Sequence, residues 1–304
     1  MSVIQWTETS TTHVAHWHSE SATPPPSRVV YADDRMRADT AYRLARTETA
    51  LLWRGDFHNG RQLLQAMSRR CDRQPIPESK SLAEAFRLHR KNSARRARVL
   101  GKLLVLLDDD HGLRLRRAPD VRQACRAAYG SPSGSKVVAL TELLGVLGAQ
   151  QWRTKGVEIP ALQARIHPHY GVFSPVRGEY VDLVAHTPLP AAPDLASRRA
   201  FDLGTGTGVL AAVLARRGIG QIVATDISPR ALHCARANIR RLDLAGRVDV
   251  LGPGLFPAGR ADLIVCNPPW LPARPTSDLE LGVYDADGSM LGEFLAGLRA
   301  HLEP

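Results

Sequence analysis

The chain has 304 residues, 44% of them apolar and 23% charged, which is ordinary for a globular protein and enough for two domains with separate cores. No run approaches the roughly 18 apolar residues of a membrane span, and the polar first twenty residues lack the apolar stretch of a secretory leader. The net charge is +10, and its excess lies early: residues 1–165 hold 27 Lys/Arg against 16 Asp/Glu, and the remainder 13 against 14.

Residues 1–30 read as a disordered tail closing on Thr23-Pro24-Pro25-Pro26-Ser27. Its His13, His16 and His18 would not be pre-arranged as metal ligands on a flexible segment, so no metal site is assigned. Residues 31–150 read as a basic helical domain. Tyr42, Leu44, Ala45 and Leu51-Leu52-Trp53 form an apolar stripe, and Asn59 is placed to cap a helix holding Leu63, Leu64 and Met67. Ser81 with Glu84 makes a capping box that opens a helix over 81–107, heavily basic from Arg87 to Arg98. Asp108-Asp109-Asp110-His111-Gly112 ends it as a solvated turn. A short strand at 113–116 and helices at 119–129 and 136–147 follow, the last two separated by Gly130-Ser131-Pro132-Ser133-Gly134. The basic helices allow either a solvated face or an acidic partner such as RNA, and charge alone does not choose. Cys71, Cys125, Cys234 and Cys266 are widely spaced with no CxxC pair, which points to buried thiols in a reducing, cytoplasmic compartment.

The pattern changes after Gln150. Residues 151–190 read as a β-hairpin linker, with β-prone pieces at 157–159, 164–166 and 172–173 and a helix at 180–185. Residues 191–304 then alternate strand and helix, the signature of an α/β Rossmann-like parallel sheet. Strands are expected at 199–203, 221–225, 248–251 and 263–266, in spatial order 3-2-1-4. Helices are expected at 208–217, 229–242 and 289–302.

Three motifs within this domain carry chemistry. Between the first strand and its helix stands Phe201-Asp202-Leu203-Gly204-Thr205-Gly206-Thr207-Gly208, where glycines let the backbone turn sharply and approach a ligand. Asp226, followed by Ile227 at the end of the second strand, is placed to accept hydrogen bonds from the ribose hydroxyls of a nucleoside. These two features are shared by dinucleotide and S-adenosylmethionine sites. Asn267-Pro268-Pro269-Trp270 leaves the fourth strand at the carboxyl edge and separates them. The Asn267 side-chain carbonyl and the Pro268 backbone carbonyl would accept two N–H bonds from a nitrogen whose lone pair faces a sulfonium methyl. Consecutive prolines stiffen that backbone, and Trp270 offers a flat face for stacking.

With these residues in place, the chain resembles the amino-methylating S-adenosylmethionine enzymes with an NPP(Y/F/W) motif. Within them it is most similar to the glutamine N5-methyltransferases that modify release factors and a ribosomal protein. The likeness rests on Gly171-Val172-Phe173-Ser174-Pro175-Val176-Arg177-Gly178-Glu179-Tyr180, the glycine loop and the NPPW motif. A weaker stretch is Glu280 through Gly288, ending Tyr284-Asp285-Ala286-Asp287-Gly288. Departures are Gly178 for the family's proline, Trp270 for its usual tyrosine, and Gly254 where relatives carry an acid contacting adenine.

The resemblance implies S-adenosylmethionine as cofactor, held by Asp202, Gly204, Thr205, Gly206, Gly208, Asp226, Ile227 and Asn267. Asn267, Pro268 and Trp270 would be catalytic. It also implies a seven-stranded sheet, of which four strands are found, so the C-terminal strands are expected to be missing. The expected reaction is methylation of a glutamine side chain in a translation factor or ribosomal protein. The alternatives are an exocyclic amine of RNA or DNA, or a non-catalytic binding module.

Overall fold

A hairpin opens the chain: β1 (Val3–Glu8) and β2 (Thr11–Trp17) pair antiparallel, from Val3 opposite His16 to Glu8 opposite Thr11. Along β1 the side chains of Ile4 and Trp6 are buried while Val3 and Gln5 face out, the period of two that a half-buried strand requires. The disordered tail expected over 1–30 is therefore corrected. The computed structural model describes residues 2–8, 10–74, 77–189 and 194–304. Residue 190, the expected end of the linker, and 191–193, the expected start of the catalytic domain, lie outside the described residues.

The described chain forms two compact units, Met1–Leu147 and Gly148–Pro304. In the first, the hairpin is followed by β3 (Arg28–Ala32), α1 (Ala38–Arg46), β4 (Thr49–Trp53), α2 (Phe57–Asp72), α3 (Leu82–Leu100), β5 (Leu103–Leu107), α4 (Arg122–Tyr129), β6 (Lys136–Ala139) and α5 (Leu140–Lys155). The strands form one sheet in the order β1-β2-β6-β5-β4-β3. Strands β3, β4 and β5 run parallel, β6 is antiparallel to β5, and β2 is parallel to β6.

The all-helical domain expected over 31–150 is corrected by this sheet. Thr49–Trp53 and Leu103–Leu107 are buried on both faces, so they read as unbroken apolar runs, which periodicity does not separate from helix. One face gathers Ile4, Trp6, Ala15, Ala50, Leu52, Leu104 and Val137 into a core. On that side β1 reaches β3 although the two are at opposite ends of the pairing order. The Trp6 indole N–H donates to the Tyr31 hydroxyl at 3.0 Å, and that hydroxyl donates to Glu8.

Local capping also differs from expectation. Helix α2 is capped by Asp56, whose carboxylate accepts from the His58 and Asn59 amides at 2.9 and 3.4 Å, whereas the Asn59 side chain donates to Asp34. Gly60 is required in the first turn, since a Cβ there would lie 2.8 Å from the Trp53 indole nitrogen. Helix α3 does start at the Ser81 cap, but the Glu84 carboxylate accepts from Lys80 rather than closing the box on Ser81. Residues 113–116 form no strand.

The second unit contains β7 (Val157–Ile159), β8 (Ala164–Ile166), α6 (Glu179–His186), β9 (Arg199–Leu203), α7 (Val209–Arg216), β10 (Gln221–Thr225), α8 (Pro229–Arg241), β11 (Val248–Leu251), β12 (Leu263–Cys266), α9 (Asp278–Leu281) and α10 (Ser289–His301). Strands β7 and β8 form a hairpin, but it is no free linker. Val157, Ile159, Leu162 and Ile166 are buried in one core with Val209–Ala215 of α7 and with Ile222, Ala224 and Val248. The parallel sheet runs β11-β10-β9-β12, so β9 is central and the loops after β9, β10 and β12 emerge together at its carboxyl edge. Nothing among the described residues pairs with the outer side of β12. Among the described residues no helix is long and apolar enough to cross a membrane.

Candidate active site

The glycine loop is shaped by the two strands beside it. Gly204, Gly206 and Gly208 all have positive φ, at 72°, 55° and 81°, which L side chains adopt only with strain. Gly208 is doubly constrained, because a Cβ would come within 3.3 Å of the Ala235 Cα and Cβ on α8. Around Gly206, in contrast, a Cβ would meet nothing within 4 Å, since the loop there borders open space. The Thr205 amide donates to the Thr225 carbonyl at 2.8 Å, tying the loop to the end of β10.

Asp202 is 1% exposed beneath this loop. Its Oδ2 accepts from the Thr205 hydroxyl at 2.6 Å and from the Ala211 amide at 2.9 Å, so it anchors the loop and the first turn of α7 together. Its Oδ1 is buried with no hydrogen-bond partner. Burial raises its pKa to about 6, against the two bonds that lower it. Asp226 follows β10 and accepts from the Gly206 amide at 3.0 Å and the Ser228 amide at 2.8 Å. Burial raises its pKa as well.

A cavity of about 430 Å³ opens between these loops and the segments beyond β12. Its wall includes Gly204, Thr205, Gly206, Asp226, Ile227 and Asn267, six of the residues singled out in the sequence. Gly208 and Asp202 stand behind it, as supports of the loop. Gly254 also lines it, so the position lacking the family's acid does face the cavity. Pro269 is in the wall but Pro268 and Trp270 are not, and the Trp270 indole is 75% exposed. The Trp270 side chain thus stands outside the wall, while Asn267 and Pro269 face in. Bonds from the Leu271 amide to the Val283 carbonyl (3.2 Å) and from the Asp285 amide to the Leu271 carbonyl (2.9 Å) fix that course.

Other wall residues come from segments that the motifs did not single out as site residues. Phe173 and the half-buried Tyr180 precede β9, while Tyr284, Asp285 and Met290 follow NPPW. Their signal was the likeness of both flanking stretches to the family, which gave segments rather than positions. The Asp285 carboxylate accepts from the Ser289 and Met290 amides at 3.0 Å and so holds the start of α10 in the wall.

The wall has one further property. It carries five carboxylates, from Asp226, Asp278, Asp285, Asp287 and Glu293, and among the described residues no Lys, Arg or His. Among the described residues, only Asp278 of these five has a cation at ion-pair distance, Arg230 at 3.1 Å. A pyrophosphate would meet repulsion here, whereas a sulfonium and an ammonium group meet attraction. The unpartnered Asp202 Oδ1, the open space at Gly206 and this acidic wall all fit S-adenosylmethionine.

Comparison with known proteins agrees. Residues 163–279 match the model of the Methyltransferase small domain family. A ribosomal protein L11 methyltransferase of Pelotomaculum thermopropionicum is 48% identical over 69 residues, 22% of each chain. A release factor glutamine methyltransferase of Mycolicibacterium smegmatis is 38% identical over 95 residues, covering 30% of this chain and 34% of that protein. A tRNA1(Val) (adenine(37)-N6)-methyltransferase of Glaesserella parasuis serovar 5 is 40% identical over 78 residues, 24% of this chain and 33% of that one. The chain thus spans between about a fifth and a third of the length of these curated relatives. The segment around the cavity is a methyltransferase domain, and its cofactor is S-adenosylmethionine.

Proposed function

We propose that this protein methylates a nitrogen, and that the nitrogen is the side-chain amide of a glutamine in a translation-related protein. The observation that carries the reading is the joint placement of Asn267 and an acidic, cation-free wall in one cavity with the glycine loop. S-adenosylmethionine, when bound, supplies an electrophilic methyl group. Asp226 would hold the ribose hydroxyls through the second lone pairs of its oxygens, whose first are already engaged by Gly206 and Ser228. Asp202 would hold the loop that cradles the methionine part.

The chain's own contribution to the transfer is alignment. The Asn267 carboxamide oxygen would accept an N–H of the acceptor and turn its lone pair toward the methyl group. Phe173 and Tyr284 offer flat faces in the wall for a planar amide. No strong base is needed, because the nitrogen loses its proton as the new bond forms.

The acceptor is chosen between two readings by charge. A nucleobase would bring its phosphates toward Asp287 and Glu293, whereas an amide brings no charge; the wall favours the amide. The names of two relatives, a release factor and a ribosomal protein methyltransferase, point the same way. The test is incubation of the chain with cell extract and S-adenosylmethionine labelled in the methyl group, then digestion with protease or nuclease. Label released in peptides and recovered as N5-methylglutamine supports the proposal; label released in nucleotides overturns it.

A further inference from the structure

Much of the net positive charge of the chain stands on two adjacent helices and their flanks, which the catalytic reading does not use. Residues 57–102 hold twelve Lys/Arg against three Asp/Glu. The arginines that make structural bonds face inward or sideways: Arg70 pairs with Asp39 at 2.7 Å, and Arg96 reaches Ser68 and Asp72. Of the others, Arg61, Arg69, Arg73, Arg87, Lys91 and Arg98 are exposed, with the Arg87 Nε donating to the Ala83 carbonyl of its own helix at 3.4 Å. On α2, Arg61 and Arg69 are exposed at a spacing of eight, about two turns apart, and Arg73 is exposed just past the end of the helix. On α3, Arg87, Lys91 and Arg98 are exposed at spacings of four and seven, on one side of the helix. Among the described residues no carboxylate lies within ion-pair distance of Arg61, Arg69, Arg87, Lys91 or Arg98. Helix α3 carries no acidic residue beyond Glu84 in its first turn.

Such rows differ from an ordinary solvated face. Soluble helices intersperse both signs, because like charges four apart destabilise the helix. Here the repulsion between Arg87 and Lys91 is left without a neutralising carboxylate on the next turn. Five of these six outward cations are arginines, whose planar fork suits phosphate oxygens better than a lysine's point charge does.

We propose that the α2–α3 face binds the phosphate backbone of RNA. The choice of RNA over DNA rests on the function proposed above, since a translation-related protein acceptor is found beside RNA; the choice of a phosphate backbone rests on the arginine rows alone. The contact is expected to be insensitive to sequence, because these rows offer charge and no apolar or amide groups for reading bases.

The experiment is fluorescence anisotropy of the full chain with a labelled 20-nucleotide single-stranded RNA between 50 and 200 mM salt. Binding should weaken linearly in log–log form. The triple variant Arg87→Gln, Lys91→Gln, Arg98→Gln should lower that slope by about 2, at roughly 0.7 per lost phosphate contact. A control triple variant of exposed arginines in the second unit, Arg240→Gln, Arg241→Gln, Arg299→Gln, should leave it unchanged. Absence of binding at 50 mM, an equal slope in the α3 variant, or an equal loss in the control would each overturn the proposal. So would competition by polyglutamate as effective as by unlabelled RNA, which would mark an acidic protein surface as the partner, or by DNA more effective than by RNA. Circular dichroism and a thermal unfolding midpoint unchanged in the α3 variant show that its first unit is folded, while calorimetric titration with S-adenosylmethionine reads the second unit. Failure of the catalytic reading would appear in that titration or in the labelling, and would leave the RNA arm intact.

Discussion

At the scale of single residues, the reading proposed above gives Asn267 and Asp226 separate tasks in one cavity. Asn267 is assigned to the acceptor, whereas Asp226 is bonded to the glycine loop at Gly206. Asn267→Ala should therefore leave S-adenosylmethionine affinity within a few-fold of the native value and lower methyl transfer by a factor on the order of a hundred or more. Asp226→Ala should weaken cofactor binding first. Calorimetry and single-turnover labelling read the two separately, and a reversal of the pattern would exchange the two assignments. Asp202 gives a pH dependence of definite sign. Its folded pKa of about 6 lies above the ordinary value of 3.8, so its contribution to the stability of the ligand-free protein is full below that value and is lost as pH rises through about 6. The difference amounts to at most about 3 kcal/mol. Thermal unfolding of Asp202→Asn should lack that part of the decline between pH 4 and 7; profiles of equal slope would show that the buried carboxyl is not the source.

At the scale of elements, legibility followed the distance between pairing partners. The four strands β9 to β12 stood out in the sequence at the bounds the structure gives, because each is a short β-prone run closed by a glycine loop, an acid or a proline. Gly206, Asp226 and Asn267 were legible for the same reason, since they sit on the loops after those runs, and Asp202 stands near the end of β9. What the sequence did not disclose was the sheet of the first unit. Leu51-Leu52-Trp53 and Leu103–Leu107 are apolar at every position, and the hairpin of β1 and β2 is polar outside and lined by only a few buried residues, among them Ile4, Trp6 and Ala15. Neither shows in a local window what it packs against. The outward course of Trp270 was not legible for a different reason, since the direction of a side chain after two prolines depends on the anchoring of Leu271 by Val283 and Asp285. That anchoring leads directly to α10, whose first amides Asp285 caps. Asp285→Ala should cost about 1 kcal/mol of stability and raise amide exchange at Ser289–Leu291. Unaltered exchange at those amides would mean that the helix start is held by something else.

At the scale of the whole molecule, two cores serve two tasks. The cofactor cavity is lined only by residues of Gly148–Pro304. At a hundredfold excess over its Kd, S-adenosylmethionine should stabilise that unit by about 2.7 kcal/mol. Hydrogen exchange should show new protection in β9, α7 and β10 with none in β3 to β6, and equal protection in both units would contradict a cavity confined to one. The sheet of the first unit carries a consequence for how the chain comes into being. Strand β2 pairs with β6 through His16 opposite Lys136 and Trp17 opposite Val137, a separation of 120 residues (136 − 16). On a ribosome adding roughly 5–20 residues per second, the first strands to emerge wait between about 6 and 24 seconds for the strand that receives them. Until then Ile4, Trp6 and Ala15 have only the part of their core that β3, β4 and β5 supply, and lack Val137. The pairing edge of β2 thus stays open while residues 20 to 136 are made, and a pause or a chaperone acting in that interval would decide how long it is exposed.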